Sequence, residues 1–324
     1  MSRAGGWARV AAVDLLSRVL VGGGVTSEER ARVRSEIHLS GFRKGARSHL
    51  LRRMMRAGLR GGDVRILASA LDGLFTIACS ALDAGVGWVI LERGTYEPHV
   101  VACYRRRLKP GMVVADIGAN IGFHALHAAV LVGKTGSVIA VEPDPGNVAL
   151  LELSLSVNGP LLVVELIEAA LSDAPGELVE SDLGNAANSG ARFTHRDRAV
   201  LERLVHGASP IFRKVSALRW DDRFLDRKID FVKIDIEGYE PVAMRGMEQS
   251  LARHRPVILS EFAPSNLRDI GGMAPDEYLA WFRERRYECA VLDESTGDEV
   301  HADAAVIQSR LHGRHHVDLL FTPL

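Results

Sequence analysis

Two short stretches of the sequence hold residues suited to chemistry. In "VVADIGANIGFHA" (113–125) an apolar run meets Asp116, then Gly118 and Gly122 four residues apart, then a helical pattern. Glycine is needed where the backbone takes positive φ or approaches another group with no side chain between. A pyrophosphate-binding fingerprint requires glycine at positions 118, 120 and 123, but Asn120 and Phe123 stand at the last two, so a dinucleotide turn fails on spacing. It also fails on charge. A carboxylate at Asp116 opposes a pyrophosphate and favours an ammonium or sulfonium group. Glu142 lies 26 residues on and ends the next apolar run, in "VIAVEPDPGN". An acid at a strand tip suits two hydrogen bonds from the vicinal hydroxyls of a ribose.

The second stretch is "FVKIDIEGYE" (231–240), where period-two alternation points Lys233, Asp235 and Glu237 to one side. Charges on a central strand are costly unless paired, hydrogen-bonded or metal-bound, so these belong at the strand's C-terminal end. Glu261, closing "PVILSEF", belongs at a neighbouring tip. A ligand with a ribose at one end and a cation at the other is S-adenosylmethionine. Its sulfonium already activates the methyl carbon, leaving the protein to align an acceptor and, for a hydroxyl, to take a proton. Asp235, Glu237 or Glu261 suits that base; Lys233 suits holding a carboxylate or, with a lowered pKa, acting as base itself. The competing reading makes Asp235 and Glu237 caps of a helix beginning near Tyr239, with Pro241 in its first turn. Clustered carboxylates also suit a divalent metal, Mg²⁺ or Ca²⁺, but nothing in the spacing sets a ligand count and a metal is not favoured. His124 and His127 share a helix face and read as packing, and His312, His315 and His316 read as surface residues; either group is the lesser candidate for the base that takes the proton. Asn158 and Trp220 fall where loops near the donor run.

The elements around these residues alternate short apolar runs with helical patterns. Strands are expected at "MVVADIG", "SVIAVEP", "LLVVELIEAA", "FVKIDIE", "PVILSEF", "YECAVLD" and "HHVDLLF", which indicates a doubly wound α/β sheet covered on both faces. The turn region joining the last two suits an antiparallel strand at one edge. Before this domain, assigned to residues 111–324, "VRILASALDGLFTIA" reads as a hairpin about Leu71-Asp72-Gly73. Asp83 is placed to cap a short helix ending near Gly94, and a further helix runs from Tyr96 toward Lys109. Residues 63–110 thus lead into the core, and residues 1–62 read as a basic helical extension. A long insertion at about 172–228 holds a flexible polar stretch, "GNAANSGARF", and a helix, "RAVLERLVHG".

Composition sets outer limits. With 47% hydrophobic and 25% charged residues the chain is near the globular average. Trp7 to Val21 is broken by Arg9, Asp14 and Arg18, so neither a signal peptide nor a membrane span is expected and the reading is cytoplasmic. Three scattered cysteines argue against a disulfide framework or thiolate zinc site. Residues 1–65 carry 14 Lys plus Arg against 5 Asp plus Glu, while the remainder is acidic. Such a leader suits a phosphorylated substrate, an acidic carrier, nucleic acid, a membrane surface or a homodimer contact; a solvated helix face is the plain alternative.

From Gly94 to Phe262 the ordered motifs "GTYEPHV", "LKPGMVVADIGANIGFHALHAA", "GSVIAVEPDPGN", "EAALSD", "LRWDDRF", "IDFVKIDIEGYEPVAMRGM" and "RPVILSEF" resemble the FkbM family of S-adenosylmethionine-dependent methyltransferases. The resemblance implies a class I, Rossmann-like fold, a seven-stranded sheet with the last strand antiparallel, and O-methylation of a hydroxyl on a small molecule such as a sugar or secondary metabolite. It implies that Asp116 and Gly118 face the methionine end, Glu142 the ribose and Ala170-Leu171 the adenine, with Glu97 of "TYEP" near the methionine. Asn120, Gly122, Pro143 and Asp235, in the same motifs, count with the donor-binding residues. Methylation of nucleic acid is the second expectation, disfavoured because the fourth strand lacks an Asp/Asn-Pro-Pro-aromatic tetrapeptide and the chain lacks a Pro-Cys nucleophile. A non-catalytic binding protein on the same fold is the third.

Overall fold

The computed structural model describes residues 37–38, 65–80, 83, 85–160, 162–182, 192–205 and 210–324. Most of the expected basic extension therefore lies outside the described residues; from it, Ile37–His38 (β1) pairs parallel with the first strand of the hairpin. That hairpin is β2 (Arg65–Ala70) and β3 (Phe75–Ser80), antiparallel about Leu71-Asp72-Gly73 as expected. Asp83 accepts from the amides of Gly85 and Gly87 at 3.0 and 2.7 Å, capping α1 (Val86–Arg93), and Gly94 ends this helix in a left-handed conformation. The next helix, α2 (Pro98–Arg107), leads to the first strand of the main sheet.

That sheet has eight strands. β4 (Val113–Ile117), β5 (Ser137–Glu142), β6 (Val164–Glu168), β11 (Phe231–Ile234), β12 (Val257–Phe262), β13 (Tyr287–Leu292), β14 (Glu299–His301) and β15 (Val317–Pro323) stand in the order β14-β13-β15-β12-β11-β4-β5-β6. Only β14 and β15 run against the other six. Between them the chain forms α3 (Phe123–Val132), α4 (Pro145–Asn158), α7 (Glu240–Gly246), α8 (Glu248–His254), α9 (Pro264–Asp269), α10 (Pro275–Glu284) and α11 (Ala304–Leu311). This is a Rossmann-like α/β architecture, a mixed sheet of eight strands where seven were expected, with β14 and β15 antiparallel to the rest. The expected edge position of that strand is corrected: β15 lies inside, between β12 and β13, and the short β14 takes the edge. Leu319, Leu320 and Phe321 explain this, since all three are buried and alternate between the two faces, whereas an edge strand leaves backbone and side chains in water.

The same alternation divides the core. Val114, Val138 and Ala140 pack toward α3 and α4, while Ala115, Ile117, Ile139 and Val141 pack on the opposite face. Asn158, expected near the donor, instead ties the hairpin to α4. Its side chain accepts from the Thr76 amide at 2.8 Å and donates to the Thr76 carbonyl at 2.6 Å, satisfying the hairpin's open edge. Trp220 is likewise fully buried core rather than loop.

Most of the insertion's polar stretch, "GNAANSGARF", lies outside the described residues. Beyond Ala169 the chain leaves the main sheet and builds a second one from β7 (Ala170–Ser172), β8 (Gly176–Asp182), β9 (Arg192–His195) and β10 (Ile211–Arg219), in the order β7-β10-β8-β9. The expected helix is present as α5 (Arg198–Leu204), and α6 (Trp220–Phe224) follows the sheet. Among the described residues no helix is long and apolar enough to cross a membrane.

Candidate functional site

The parallel strands β4, β11 and β12 end side by side, and the turns after them face one another. Gly118, at φ +81°, has no room for a side chain: a Cβ there would lie 2.0 Å from the Asp235 carbonyl oxygen. A Cβ on Gly122, at φ +92°, would lie 2.2 Å from Leu151 Cδ1. Both glycines are thus demanded by the protein's own close packing, which lets two strand-end turns and two helices approach. Asn120 between them also has positive φ, and its amide donates to Glu142 Oε2 at 2.9 Å.

A cavity of ≈240 Å³ opens at these turns. It is bounded by eight of the expected residues, Glu97, Asp116, Gly118, Asn120, Lys233, Asp235, Glu237 and Glu261. Gly122, Glu142, Pro143, Ala170 and Leu171 do not line it. Glu142 stands one residue behind the wall, with Asn120 between. It is buried and accepts from the amides of Asn120 and Asp144 and from Asn147 Nδ2, so three of its roughly four lone-pair positions are taken. One position is left for a hydroxyl, where the bidentate expectation needed two. Ala170 and Leu171 are buried in β7, paired to β10.

Lys233, Asp235 and Glu237 face one side, although the strand itself stops at Ile234. The last two sit in a turn where Glu237 has φ 56°. Glu240 holds this turn, accepting from the amides of Ile236 at 2.9 Å and Gly238 at 3.2 Å. Neither Asp235 nor Glu237 caps the helix that follows, which removes the capping alternative. Glu97, Asn120 and Glu237 all line the cavity with left-handed backbone, a conformation that costs non-glycine residues of order 1–3 kcal/mol each and clusters at functional sites.

Carboxyl groups outnumber basic ones at the cavity. Five carboxylates line the cavity against a single ammonium, Lys233. Asp116 is fully buried, and neither of its oxygens has a hydrogen-bond partner among the described residues. Burial pushes its carboxyl up against the pull of Lys233. Burial raises Glu237 to about 8, aided by Asp235, and holds Glu261 well above the usual carboxylate range. Lys233 Nζ lies 2.8 Å from Asp235 Oδ2. Its own burial, which would lower its pKa, is outweighed by Asp235, Asp116 and Glu97, so the ammonium is held above its ordinary range. The reading of Lys233 as a base with lowered pKa is therefore corrected: it is a fixed cation.

Tyr96, His124 and His316 also stand at this cavity. Tyr96 lines it, and its hydroxyl is pushed up by burial and by Glu97. His124 is no simple packing residue; its Nε2 lies 2.8 Å from Glu97 Oε2. Burial raises Glu97, but this hydrogen bond and the charges of His124 and Lys233 prevail and lower its pKa. His127, in contrast, is buried with both ring nitrogens unpartnered, and burial lowers it to about 3. His316 is exposed, as expected, yet its Nδ1 lies 3.4 Å from Glu261 Oε1 and it lines the cavity. The Tyr96 signal was its place in "TYEP"; His316 had none, because antiparallel pairing of β15 with β12 brings it there. Among the described residues no three His, Cys, Asp or Glu side chains are grouped to hold a metal ion.

A family profile described as the methyltransferase FkbM domain matches residues 116–289, more than half of the chain. The chain belongs to the FkbM methyltransferase family. It is accordingly an S-adenosylmethionine-dependent methyltransferase. This FkbM methyltransferase is similar to methyltransferase sdnD of Sordaria araneosa, 25% identical over 178 residues covering 48% of this chain and 68% of that protein. It is also similar to ribosomal RNA large subunit methyltransferase E of Stenotrophomonas maltophilia (strain K279a), 28% identical over 170 residues, 48% of this chain and 80% of the relative. Among solved structures, FkbM from Methylobacillus flagellatus KT aligns with a TM-score of 0.41 and 16% identity over 68% of this chain. The alignment spans half, 50%, of that longer chain. Aeropyrum pernix fibrillarin with natively bound S-adenosyl-L-methionine aligns at 0.37 and 12% identity, over 82% of this chain and 85% of the other.

The residues present fit a cationic donor. A buried, unpartnered Asp116 in a cavity with four further carboxylates calls for a positively charged hydrogen-bond donor, and the methionine end of S-adenosylmethionine carries an ammonium and a sulfonium.

Proposed function

We propose that this methyltransferase transfers a methyl group to a hydroxyl of a small molecule, a sugar or secondary metabolite, by in-line displacement with proton removal. The observation that carries the reading is the set of carboxylates at the tips of β11 and β12, beside the unpartnered Asp116. When bound, the donor supplies a methyl carbon activated by positive sulfur. In this reading Asp116 and Glu97 hold its methionine end, Asn120 and Gly118 shape the passage, and Glu142 takes one ribose hydroxyl from behind Asn120. Pro143, Ala170 and Leu171 fall to the adenine side.

A hydroxyl acceptor loses a proton as it is methylated, and Asp235, Glu237 and Glu261 are the groups placed to receive or steer it. Glu237, raised to about 8, is poised near neutrality, and positive charge on the donor favours its ionised form. Lys233 fixes Asp235, and His316 stands beside Glu261 to pass the proton outward. The test is Asp235→Asn in the full chain. Turnover is expected to fall more than tenfold with donor affinity, measured by calorimetry, within about twofold; equal losses in both would make Asp235 structural.

A second reading, methylation of RNA, is favoured by the similarity to ribosomal RNA methyltransferase E and by the basic first 65 residues. Phosphate contacts would make RNA affinity fall steeply with salt. An RNA affinity that is weak and independent of salt leaves the small-molecule reading in place.

A further inference from the structure

We propose that His99 and Asp318 are positioning residues that keep Glu261 a neutral acid, so that Glu261 holds the acceptor hydroxyl and Asp235 or Glu237 takes its proton. The proposal rests on the hydroxyl-methylation reading and assigns the base within it. Neither His99 nor Asp318 lines the donor cavity. Asp318 of β15 is the direct antiparallel partner of Glu261 on β12, so the two side chains lie opposite each other on one face of the sheet. That face is covered by α2 and α3, because Leu259 and Leu320, two residues along each strand, pack in the cluster that holds Tyr104 and Leu126. From the first turn of α2, His99 Nε2 lies 2.6 Å from Asp318 Oδ2.

Two facing carboxylates do not both stay charged without cost. Asp318 is partly exposed and has an imidazole beside it, whereas Glu261 is buried and its Oε2 has no partner among the described residues. The charge therefore resides on Asp318 and the proton on Glu261. The other groups around Glu261 act in the same direction or are engaged elsewhere. Burial first, then the charges of Asp235, Glu237, Glu240 and Asp318, hold its carboxyl well above the usual carboxylate range. Lys233 is held by Asp235. His316 stands 3.4 Å from Oε1 but is exposed, and Arg314, which with His315 borders a neighbouring cavity shared with Glu261, is paired with Glu294. Around His99 the charged neighbours are Asp318, Glu97 and Glu294; burial lowers the imidazole, but the bond to Asp318 prevails and raises it. A neutral carboxyl can hold a hydroxyl without taking its proton, which leaves removal to the carboxylates at the end of β11.

The full chain, isotopically labelled at its glutamate carboxyl carbons and saturated with S-adenosylmethionine, is titrated by NMR, with Glu261→Gln identifying the signal. Glu261 should be protonated at neutral pH. Asp318→Asn, which removes the facing charge and keeps the shape, should shift its midpoint down. His99→Gln, whose amide still donates to Asp318 but carries no charge, should shift it up, and serves where Asp318→Asn does not fold. Opposite shifts mark an electrostatic role, since a merely structural one moves the midpoint in neither variant or alike in both. An ionised Glu261 at neutral pH would overturn the proposal, as would a midpoint that the two variants leave in place or move the same way. Should the opposite shifts appear while no compound in a panel of sugars and alcohols is methylated, the positioning pair stands and the hydroxyl reading falls.

Discussion

Two groups of carboxylates lie near strand ends in this molecule, and they are compensated in opposite ways. In the donor cavity Glu97, Asp116, Asp235, Glu237 and Glu261 face one buried ammonium, Lys233, with His124 beside Glu97 and His316 beside Glu261. Beyond β5, by contrast, Asp144, Glu180 and Asp182 meet two guanidiniums from the inserted sheet. Arg192 and Arg213 each approach Asp144 at 2.5 Å, Arg213 reaches Glu180 at 2.7 Å, and Asp144 also caps α4 through the Asn147 amide at 2.7 Å. The second group is closed on itself and fastens the insertion to the sheet. The first is left short of positive charge, a shortage that a cationic ligand relieves. Buried acids alone do not mark a site; buried acids without partners do.

The comparison breaks most sharply through Arg213→Ala. Removing the shared guanidinium strands Glu180 and leaves Asp144 with Arg192 alone, so thermal and denaturant unfolding should show a loss of about 3 kcal/mol. Asp116→Asn is expected to act the other way. Donor affinity in a calorimetric titration should drop by about 2 kcal/mol, while the unliganded protein becomes no less stable, because a buried carboxylate whose desolvation outweighs the pull of Lys233 is gone. A stability loss in that variant would mean that Asp116 already has a structural partner. Glu142→Ala should weaken donor binding by about 1 to 2 kcal/mol, at the lower end because one lone-pair position is open; unchanged affinity would remove the ribose assignment.

The smallest expected effect is on pH dependence. Glu237 is raised from 4.5 to about 8 in the folded chain, so the folded state binds more protons than the unfolded one across that interval. Its contribution to stability is fully present below pH 4.5 and is lost as pH rises through about 8, where the unliganded melting temperature should decline by a few degrees. Donor binding, which favours the ionised carboxylates, should strengthen with pH over the same range. A melting temperature that climbs from pH 5 to 8 would contradict the assignment.

The parts of the site that were legible are those whose reasons are local. Asp116, Gly118, Asn120, Lys233, Asp235, Glu237 and Glu261 sit at strand ends or in the turns after them, and a strand end can be read from an apolar run meeting a charge. Glu142 was found by the same rule, but its saturation by Asn120, Asp144 and Asn147 depends on how the β5 turn closes. The inserted sheet was not legible, because its strands mix charged with apolar residues and β10 takes register from both β7 and β8. His124 as the partner of Glu97, and His316 as the neighbour of Glu261, were equally hidden.

By itself the order of apolar runs, glycines and acids determined the α/β class, the family and the carboxylate-lined turn after the first strand of the main sheet. Each follows from a period-two pattern or a backbone that only glycine can adopt beside its neighbours. Tertiary structure alone decided which charges remain unbalanced. Asp116 lacks a partner, Lys233 stays protonated and His316 reaches Glu261 only because β4, β11, β12 and β15, distant in the chain, end together. Coulombic terms and desolvation depend on distances across those strands, which no spacing along the chain encodes.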